Sequence, residues 1–557
     1  MLNFPQMALS YKQGGMLLLL SAVLQIAAFP IAGPLPPWRA ALCWIALAPF
    51  LFALASLRSG AQKLVPNSSF VAGYLCGAIW YAGNCSWIYR TMYLYGGLPR
   101  PVAFIILILF ALYLGLYHGL FAYLFAFICR SRLGTAGAFV ATPFLWVAVE
   151  LARGRITGFP WDLLGYSQID NSTMTRLAPV AGVMGLSFVI ATLCALFAAA
   201  FVLSGRRRWA LLGTTAALAA IVQISPGIVR THSAFPTPAT AFLLQENLAV
   251  GAEGKDEIPL RPDEEMAAFS ALSLSPDVPT GEKQLLRPTH PPPGTRPTVI
   301  VWPEAPSHLQ SSDPAFRAAM QRLALAADAP LIIGSLGVDF DLGTPRGYFL
   351  YDSASLFDRT GTYSGRYDKI HLVPWGEFVP FKQFFSFADK LTQGAGNMDR
   401  GYERSVFATG GHSYGVFICY ESIFGDEVRQ FADNGAEVLV NISDDGWYGD
   451  TGAPWQHLNM ARMRAIENHR WVLRSTNTGI TTAIDPDGHP TAKAPRHVRG
   501  AYAFPFAFQP ASDKTFYTRH GDWFAWFCVL IALAFLMFAA LTDKPTVPVT
   551  VAKPESR

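Results

Sequence analysis

The chain reads as a polytopic α-helical membrane bundle that carries one water-exposed α/β domain. Three observations predict this. Of its 557 residues, 52% are hydrophobic and only 15% charged, against roughly 25% charged in soluble domains. Long apolar runs crowd both ends of the sequence. Between them, from about 227 to 518, short β-branched runs alternate with helix-like stretches. The length suits two or three units: a bundle of seven segments over 1–225, an α/β domain over 226–516, and a last membrane helix with a tail over 517–557.

A spanning helix needs about 20 mostly apolar residues. Eight stretches are read as spans: 16–29, 40–57, 70–88, 102–128, 136–149, 177–203, 209–222 and 523–541. The first also resembles a secretory leader, because Lys12 precedes a leucine-rich core. No small-x-small cleavage pattern precedes Pro30, however, and a second apolar segment follows at once. With the N-terminus in the cytoplasm, the cytoplasmic loops and tail collect eleven Lys and Arg, including Arg206-Arg207-Arg208, against six outside. That bias sets the orientation. It puts the polar region on the far side of the membrane, the periplasmic face in a bacterium. The formal net charge of +4 is small, and no basic run interleaved with aromatics offers a nucleic-acid groove.

Within the polar region, strands are expected at 241–244, 298–302, 331–335, 347–351, 414–419, 438–442, 471–475 and 481–484. Helices are expected at 314–327, 426–434 and 455–469, the second stopped by Asn434-Gly435. This is the pattern of an α/β sandwich or layered sheet with helices outside. The stretch 251–296 is polar, helical in part near 262–271, and ends in a proline-rich loop to which no chemistry is assigned.

Six of the seven cysteines lie in or beside apolar stretches; Cys419 alone lies in the polar region. It has no disulfide partner there, so it is either packing or a nucleophile. Two further residues decide between these. Glu304 follows the run Val299-Ile300-Val301-Trp302, and Lys369 opens a loop rich in proline and aromatic residues. Strand ends present side chains to a cleft. A thiol must lose its proton to attack a carbonyl, and a carboxylate can take that proton and return it. Lys369 and a backbone N–H beside Cys419 could stabilise the oxyanion. Singly, each residue has a plainer reading: Glu304 as a surface cap, Lys369 as a solvated charge, Glu377 and Glu421 as structural or orienting carboxylates. His371 is an alternative base for Cys419. No ligand cluster calls for a metal, and no motif calls for a cofactor.

The order Glu304, Lys369, Cys419 resembles the Glu-Lys-Cys triad of the nitrilase superfamily. Longer strings resemble its membrane-embedded branch, the apolipoprotein N-acyltransferases. They are Trp302-Pro303-Glu304, His371-Leu372-Val373-Pro374-Trp375-Gly376-Glu377, Cys419-Tyr420-Glu421, Asp445-Gly446-Trp447-Tyr448-Gly449, Pro454-Trp455-Gln456-His457 and Arg474-Ser475-Thr476-Asn477-Thr478-Gly479. Thr157-Gly158-Phe159-Pro160-Trp161 and Gly165-Tyr166-Ser167-Gln168 extend the likeness into the bundle. The resemblance implies a nitrilase-like αββα sandwich inserted among eight membrane segments. It implies Glu304 as general base, Lys369 as oxyanion stabiliser and Cys419 as nucleophile. Glu377 would support Lys369, and Tyr420, Glu421 and Trp447 would shape the pocket. The implied donor is a phospholipid and the implied acceptor a diacylated apolipoprotein, with no cofactor; nothing demands more than a monomer in the bacterial inner membrane. Two features depart from the pattern. No tryptophan soon follows Gln245-Glu246-Asn247, and the insert 251–296 is longer than usual.

Drawing a sixteen-carbon chain into water costs on the order of 10 kcal/mol, at about 0.8 kcal/mol per methylene. A thiol held at the bilayer surface avoids that cost, which explains why a sandwich domain is built into a bundle. The aromatic run 378–387 is expected to form an arm that admits acyl chains. The competing functions are a membrane-tethered amidase and a transporter with a degenerate domain. For the transporter, Glu150, near Arg153, would be the intramembrane charge.

Overall fold

Apolar runs at both ends of the chain become helices that pack on one another, and the β-branched runs between them become two stacked sheets. The computed structural model describes residues 9–56, 58–59, 62–63, 66–202, 205–228, 237–251, 261–279, 290–304, 309–344, 346–378 and 398–542. Each of the eight expected spans coincides with helical structure. Among the described residues, five helices are long and apolar enough to cross a membrane: Pro37–Ser56, Arg100–Arg130, Gly134–Thr157, Thr175–Val202 and Trp523–Leu541. Tyr11–Ala27 has only 17 residues, and Pro66–Asn84 opens on Pro-Asn-Ser-Ser.

The tightest pairing in the bundle joins Pro66–Asn84 to Arg100–Arg130. Small residues four apart face each other there. A Cβ on Gly73 would fall 2.5 Å from the Ala122 Cβ, and one on Gly77 would fall 2.6 Å from the His118 Cβ. Helices in lipid gain little from apolar burial and associate by such close backbone approach.

In the polar region the strands are β1 Ala239–Gln245, β2 Val299–Val301, β3 Leu331–Phe340, β4 Tyr348–Phe357, β5 Tyr363–Asp368, β6 Val406–Thr409, β7 His412–Ile418, β8 Val438–Ser443, β9 Val472–Thr476, β10 Thr482–Ile484 and β11 Gly500–Phe506. One sheet has the order β11-β1-β2-β3-β4-β5 and the other β10-β9-β8-β7-β6. β1, β2 and β3 are mutually parallel, as are β7, β8 and β9. All eight expected strands are present. β5, β6 and β11 were not expected, and each is an edge strand.

Period-two alternation builds the layers. Ala241, Leu243, Val299 and Val301 pack inward against the β7–β8–β9 sheet, while Phe242, Leu244, Ile300 and Trp302 pack outward. The outward face is covered by the helices Pro262–Ser273 and Pro314–Ala327. The second sheet is covered by Gly425–Asp433 and Ala453–Asn468. The result is a four-layer αββα sandwich.

Ala453–Asn468 is buried along its whole length. Leu458, Ala461 and Ala465 join the sheet core, whereas Met460, Met463 and Ile466 join the core of the membrane bundle. The Gln456 amide donates to the Pro30 carbonyl at 2.8 Å, the Trp161 indole donates to Gln456 Oε1 at 2.8 Å, and the Arg464 guanidinium donates to the Tyr166 hydroxyl at 3.0 Å. The sandwich is therefore docked on the bundle through this helix. Glu150, the marked intramembrane charge, accepts from the Trp146 indole at 3.0 Å and from the Leu164 N–H at 2.9 Å. Its carboxylate ties the loop after its own helix back onto the bundle.

Candidate active site

Parallel strands direct their C-terminal ends to one side. β2 runs into Glu304, β7 into Cys419 and β8 into Asp444. β5 points the same way, since two antiparallel steps separate it from β3, and it runs into Lys369. The sheet topology thus assembles residues far apart in the chain. Glu304, Lys369 and Cys419 are all buried, Lys369 completely.

Lys369 Nζ donates to Glu304 Oε1 at 2.6 Å, to Glu377 Oε1 at 2.6 Å and to Asp352 Oδ2 at 3.0 Å. An ammonium has three donors, and all three are committed here. The three carboxylates form a ring that could hold a cation, and the ammonium occupies it. Glu304 Oε2 accepts from the Asp444 N–H at 2.7 Å, and Glu377 Oε2 accepts from the Val373 N–H at 3.0 Å. The Cys419 thiol lies beside Glu304 and Ser443.

Burial pushes the Glu304 carboxyl up, but the Lys369 charge and hydrogen bonds from Asp352, Lys369 and Cys419 outweigh it and hold it below the usual range. Burial opposes the Lys369 charge, yet Glu304, Glu377 and Asp352 keep it well above its ordinary value. Burial, reinforced by the Glu304 charge, raises the Cys419 thiol well above its ordinary value, against the pull of Lys369. At neutral pH the site holds a thiol, an ionised glutamate and an ammonium.

Cys419 has φ +47°, in the left-handed region that non-glycine residues avoid. Such strain costs on the order of 1–3 kcal/mol and persists only where the surroundings enforce it. The turn is held from two sides. Glu421 accepts from the N–H groups of Ile418 at 2.7 Å, Ile370 at 2.7 Å and His371 at 3.1 Å, and from the Tyr367 hydroxyl. One buried carboxylate thus clamps the thiol turn to the lysine loop. On the other side His457 Nε2 lies 3.0 Å from the Cys419 carbonyl oxygen, and its Nδ1 lies 2.8 Å from Asp445 Oδ1. Arg474 completes the chain at 2.6 Å from Asp445 Oδ2. The Trp161 ring of the bundle stacks on His457, centroids 5.8 Å apart.

The remaining expected residues face the bundle. The Tyr420 hydroxyl donates to the Gly158 carbonyl at 2.8 Å, and its ring belongs to the bundle core. The Trp447 carbonyl accepts from the Thr91 hydroxyl at 2.8 Å. The Trp447 ring lies against Gly251 (φ +57°), where a Cβ would come 2.3 Å from the Tyr95 carbonyl. His371 is paired with Glu427 at 3.1 Å and stacked on Phe424, so its ring is not engaged with the thiol. Of the aromatic run 378–387, all but Phe378 lies outside the described residues. Asp352 was not singled out from sequence, and Asp445, His457 and Arg474 stood in the strings that carry the resemblance without a role being assigned to them. Asp352 did leave a signal: a carboxylate inside the strand run Tyr351-Asp352-Ser353-Ala354-Ser355 must find a partner.

Fold and site together define a carbon–nitrogen-hydrolase-type enzyme docked on a membrane bundle. A family model described as carbon-nitrogen hydrolase matches residues 297–501, and one described as apolipoprotein N-acyltransferase N-terminal domain matches residues 21–196. The apolipoprotein N-acyltransferase of Geobacter metallireducens is 32% identical over 96% of this chain and 98% of its own length. That of Methylococcus capsulatus is 34% identical over 86% of this chain and 90% of its own. An amidase from Nesterenkonia sp. aligns with 52% of this chain and 97% of its own at 16% identity and a TM-score of 0.35. The chain belongs to the apolipoprotein N-acyltransferase family, and the enzyme is an acyltransferase.

Proposed function

We propose that the protein moves a fatty acyl chain from a membrane phospholipid to the N-terminal amine of the S-diacylglyceryl-cysteine of apolipoproteins, through a thioester on Cys419. The observation that supports this reading most is a buried thiol beside a glutamate that is itself held by a buried lysine at 2.6 Å, in a chain similar along its length to enzymes of that name.

In the first half-reaction the Cys419 sulfur attacks the ester carbonyl while its proton passes to Glu304. A thiol with a raised pKa is a poor nucleophile until that transfer occurs. The same transfer neutralises Glu304 and weakens its hold on Lys369 Nζ, freeing an N–H for the oxyanion. The Tyr420 N–H, in the first turn of a helix where donors lack intrahelical partners, is the second candidate donor. Collapse of the intermediate expels the glycerol oxygen, which takes the Glu304 proton and leaves as lysophospholipid. In the second half-reaction the neutral amine attacks the thioester, Glu304 accepts its proton, and Cys419 regains a thiol as the amide departs. Ping-pong kinetics follow. Glu377 holds Lys369, Glu421 holds both loops, and Tyr420 and Trp447 set the wall shared with the bundle.

Eight spans in the bacterial inner membrane, with the sandwich on the periplasmic side and a monomer as the working unit, complete the reading. The test is N-acylation of a diacylated lipopeptide by purified protein in phospholipid micelles. The wild type acylates the amine and Cys419→Ala does not; equal activity in the variant would end the proposal.

A further inference from the structure

The lysine cage contains more acid than its charges can sustain. Oxygens of Glu304, Asp352 and Glu377 lie within 4.8 Å of one another around a single ammonium. Asp352 is 3% exposed, and its Oδ2 accepts from Lys369 Nζ at 3.0 Å. Its Oδ1 is buried and, among the described residues, receives no hydrogen bond from an N–H or O–H donor. A buried acceptor left in that state costs about 1–3 kcal/mol. Asp352 shares that ammonium with Glu304, whose Oε1 lies 2.6 Å from the same Nζ, and oxygens of the two acids lie within 4.8 Å of each other. Buried carboxylates this close repel, whereas a proton between them removes the repulsion and gives the orphaned oxygen a role as donor.

We propose that Asp352 is a positioning residue whose carboxyl is protonated and donates its O–H to Glu304, fixing the base and the lysine together. Every charged or titratable group facing the pair enters the account. Lys369 favours the ionised form of both acids, Glu377 and Asp444 oppose it, and the Cys419 thiol and the neutral Tyr448 hydroxyl are the remaining titratable neighbours of Glu304. Burial and the neighbouring acids raise Asp352 well above the usual carboxylate range, while Glu304 is held below it. The two environments thus assign different work to two like groups: one acid stays neutral so that the other stays ionised. Glu304 then meets the thiol as an acceptor whose second neighbour has already supplied a proton.

This inference rests on Glu304 being the base for Cys419. The experiment is the rate of thioester formation on Cys419 across pH, read by intact mass. It uses full-length protein in vesicles of phosphatidylethanolamine and phosphatidylglycerol, with no acceptor. In the wild type, formation falls at acid pH as Glu304 protonates. Asp352→Ala removes a hydrogen bond that favours ionised Glu304, so the acid limb moves to higher pH by about one unit, and the plateau falls. Asp352→Asn can still accept from Lys369 and donate to Glu304, so its limb keeps the wild-type midpoint. If Asp352 were ionised, both variants would remove a negative charge and move the limb to lower pH, which would overturn the proposal. An unmoved limb in Asp352→Ala would do the same. Should Asp352→Ala not fold, infrared spectroscopy decides: the band of a buried protonated carboxyl is present in wild type and absent in Asp352→Asn, and its absence from wild type refutes the inference. If wild type forms no thioester at all, the catalytic reading itself is at fault, not the proton on Asp352.

Discussion

Of the four helices that cover the two sheets, one on each meets very different surroundings. Pro314–Ala327 lies on the outer sheet. It buries Phe316, Ala319, Met320, Leu323, Ala324 and Ala327, a stripe at helical spacing, and leaves Gln321, Arg322 and Leu325 exposed. Its start is an ordinary cap, with Asp313 accepting from the Ala315 N–H at 2.7 Å. Ala453–Asn468 lies on the inner sheet and has no exposed side. It buries Gln456, His457, Asn459, Arg462, Arg464 and Glu467 as thoroughly as its methionines. A polar group taken out of water must be paired, and the bundle supplies many of the pairs: Pro30 and Trp161 for Gln456, Tyr166 for Arg464, the Val183 N–H for Glu467 at 2.9 Å. The outer helix is held mainly by apolar burial, with a cap at its start and Arg317 reaching the Ser311 carbonyl at 2.7 Å. The inner one is held by a polar register that fits one docking geometry, and His457 carries that register to the Cys419 carbonyl.

Substitutions of matched type separate the two helices. The largest effect is expected from Arg464→Met, which removes the cation paired to Glu467 at 3.0 Å and the donor to the Tyr166 hydroxyl. Breaking such a pair costs about 3–5 kcal/mol, to be read from thermal unfolding in detergent. A loss near zero would mean that the interface is looser than its hydrogen bonds imply.

A pH dependence comes next. Burial raises the Glu467 carboxyl to about 7, against the pull of Arg464 and the Val183 N–H. Its unfolded value is about 4.3, so between these values the folded state holds the extra proton. Stability therefore falls as pH rises across that window, by roughly 3 kcal/mol from this group. Glu467→Gln should flatten the curve between about pH 4.5 and 7, checked by unfolding at a series of pH values.

His457→Asn tests whether the inner helix holds the strained elbow. Loss of one hydrogen bond to the Cys419 carbonyl should lower kcat about tenfold with KM little changed; a change confined to KM would contradict a role in holding the elbow. The smallest effect belongs to the outer helix. Arg322→Met on its exposed face should shift stability by less than about 0.5 kcal/mol, and a larger loss would place an unrecognised partner on that face.

The same contrast explains what could be read from sequence. The outer helix was legible to the residue, because apolar periodicity is what holds it. The inner helix was legible as a helix, but its polar residues gave no sign that they were buried, since the partners lie 284 to 426 positions away in the bundle. Strands flanked on both sides were found from their β-branched runs. The edge strands β5, β6 and β11 were missed, because Tyr363–Asp368 mixes glycine and charge, Val406–Thr409 is four residues long, and Pro505 interrupts Gly500–Phe506. An edge tolerates all three. Glu304, Lys369 and Cys419 could be picked out because each follows a strand or opens a distinctive loop. Asp352 could not, because its importance comes from facing Lys369 across a strand pair.

The claim on which the account rests is that acyl groups pass through Cys419. The most direct measurement is intact mass after incubation with phospholipid alone, followed by addition of a diacylated lipopeptide. The account predicts one acyl adduct, located on Cys419, that disappears as the lipopeptide amine gains the same chain. Lipopeptide acylation with no adduct on Cys419, or an adduct that the lipopeptide cannot discharge, would contradict it.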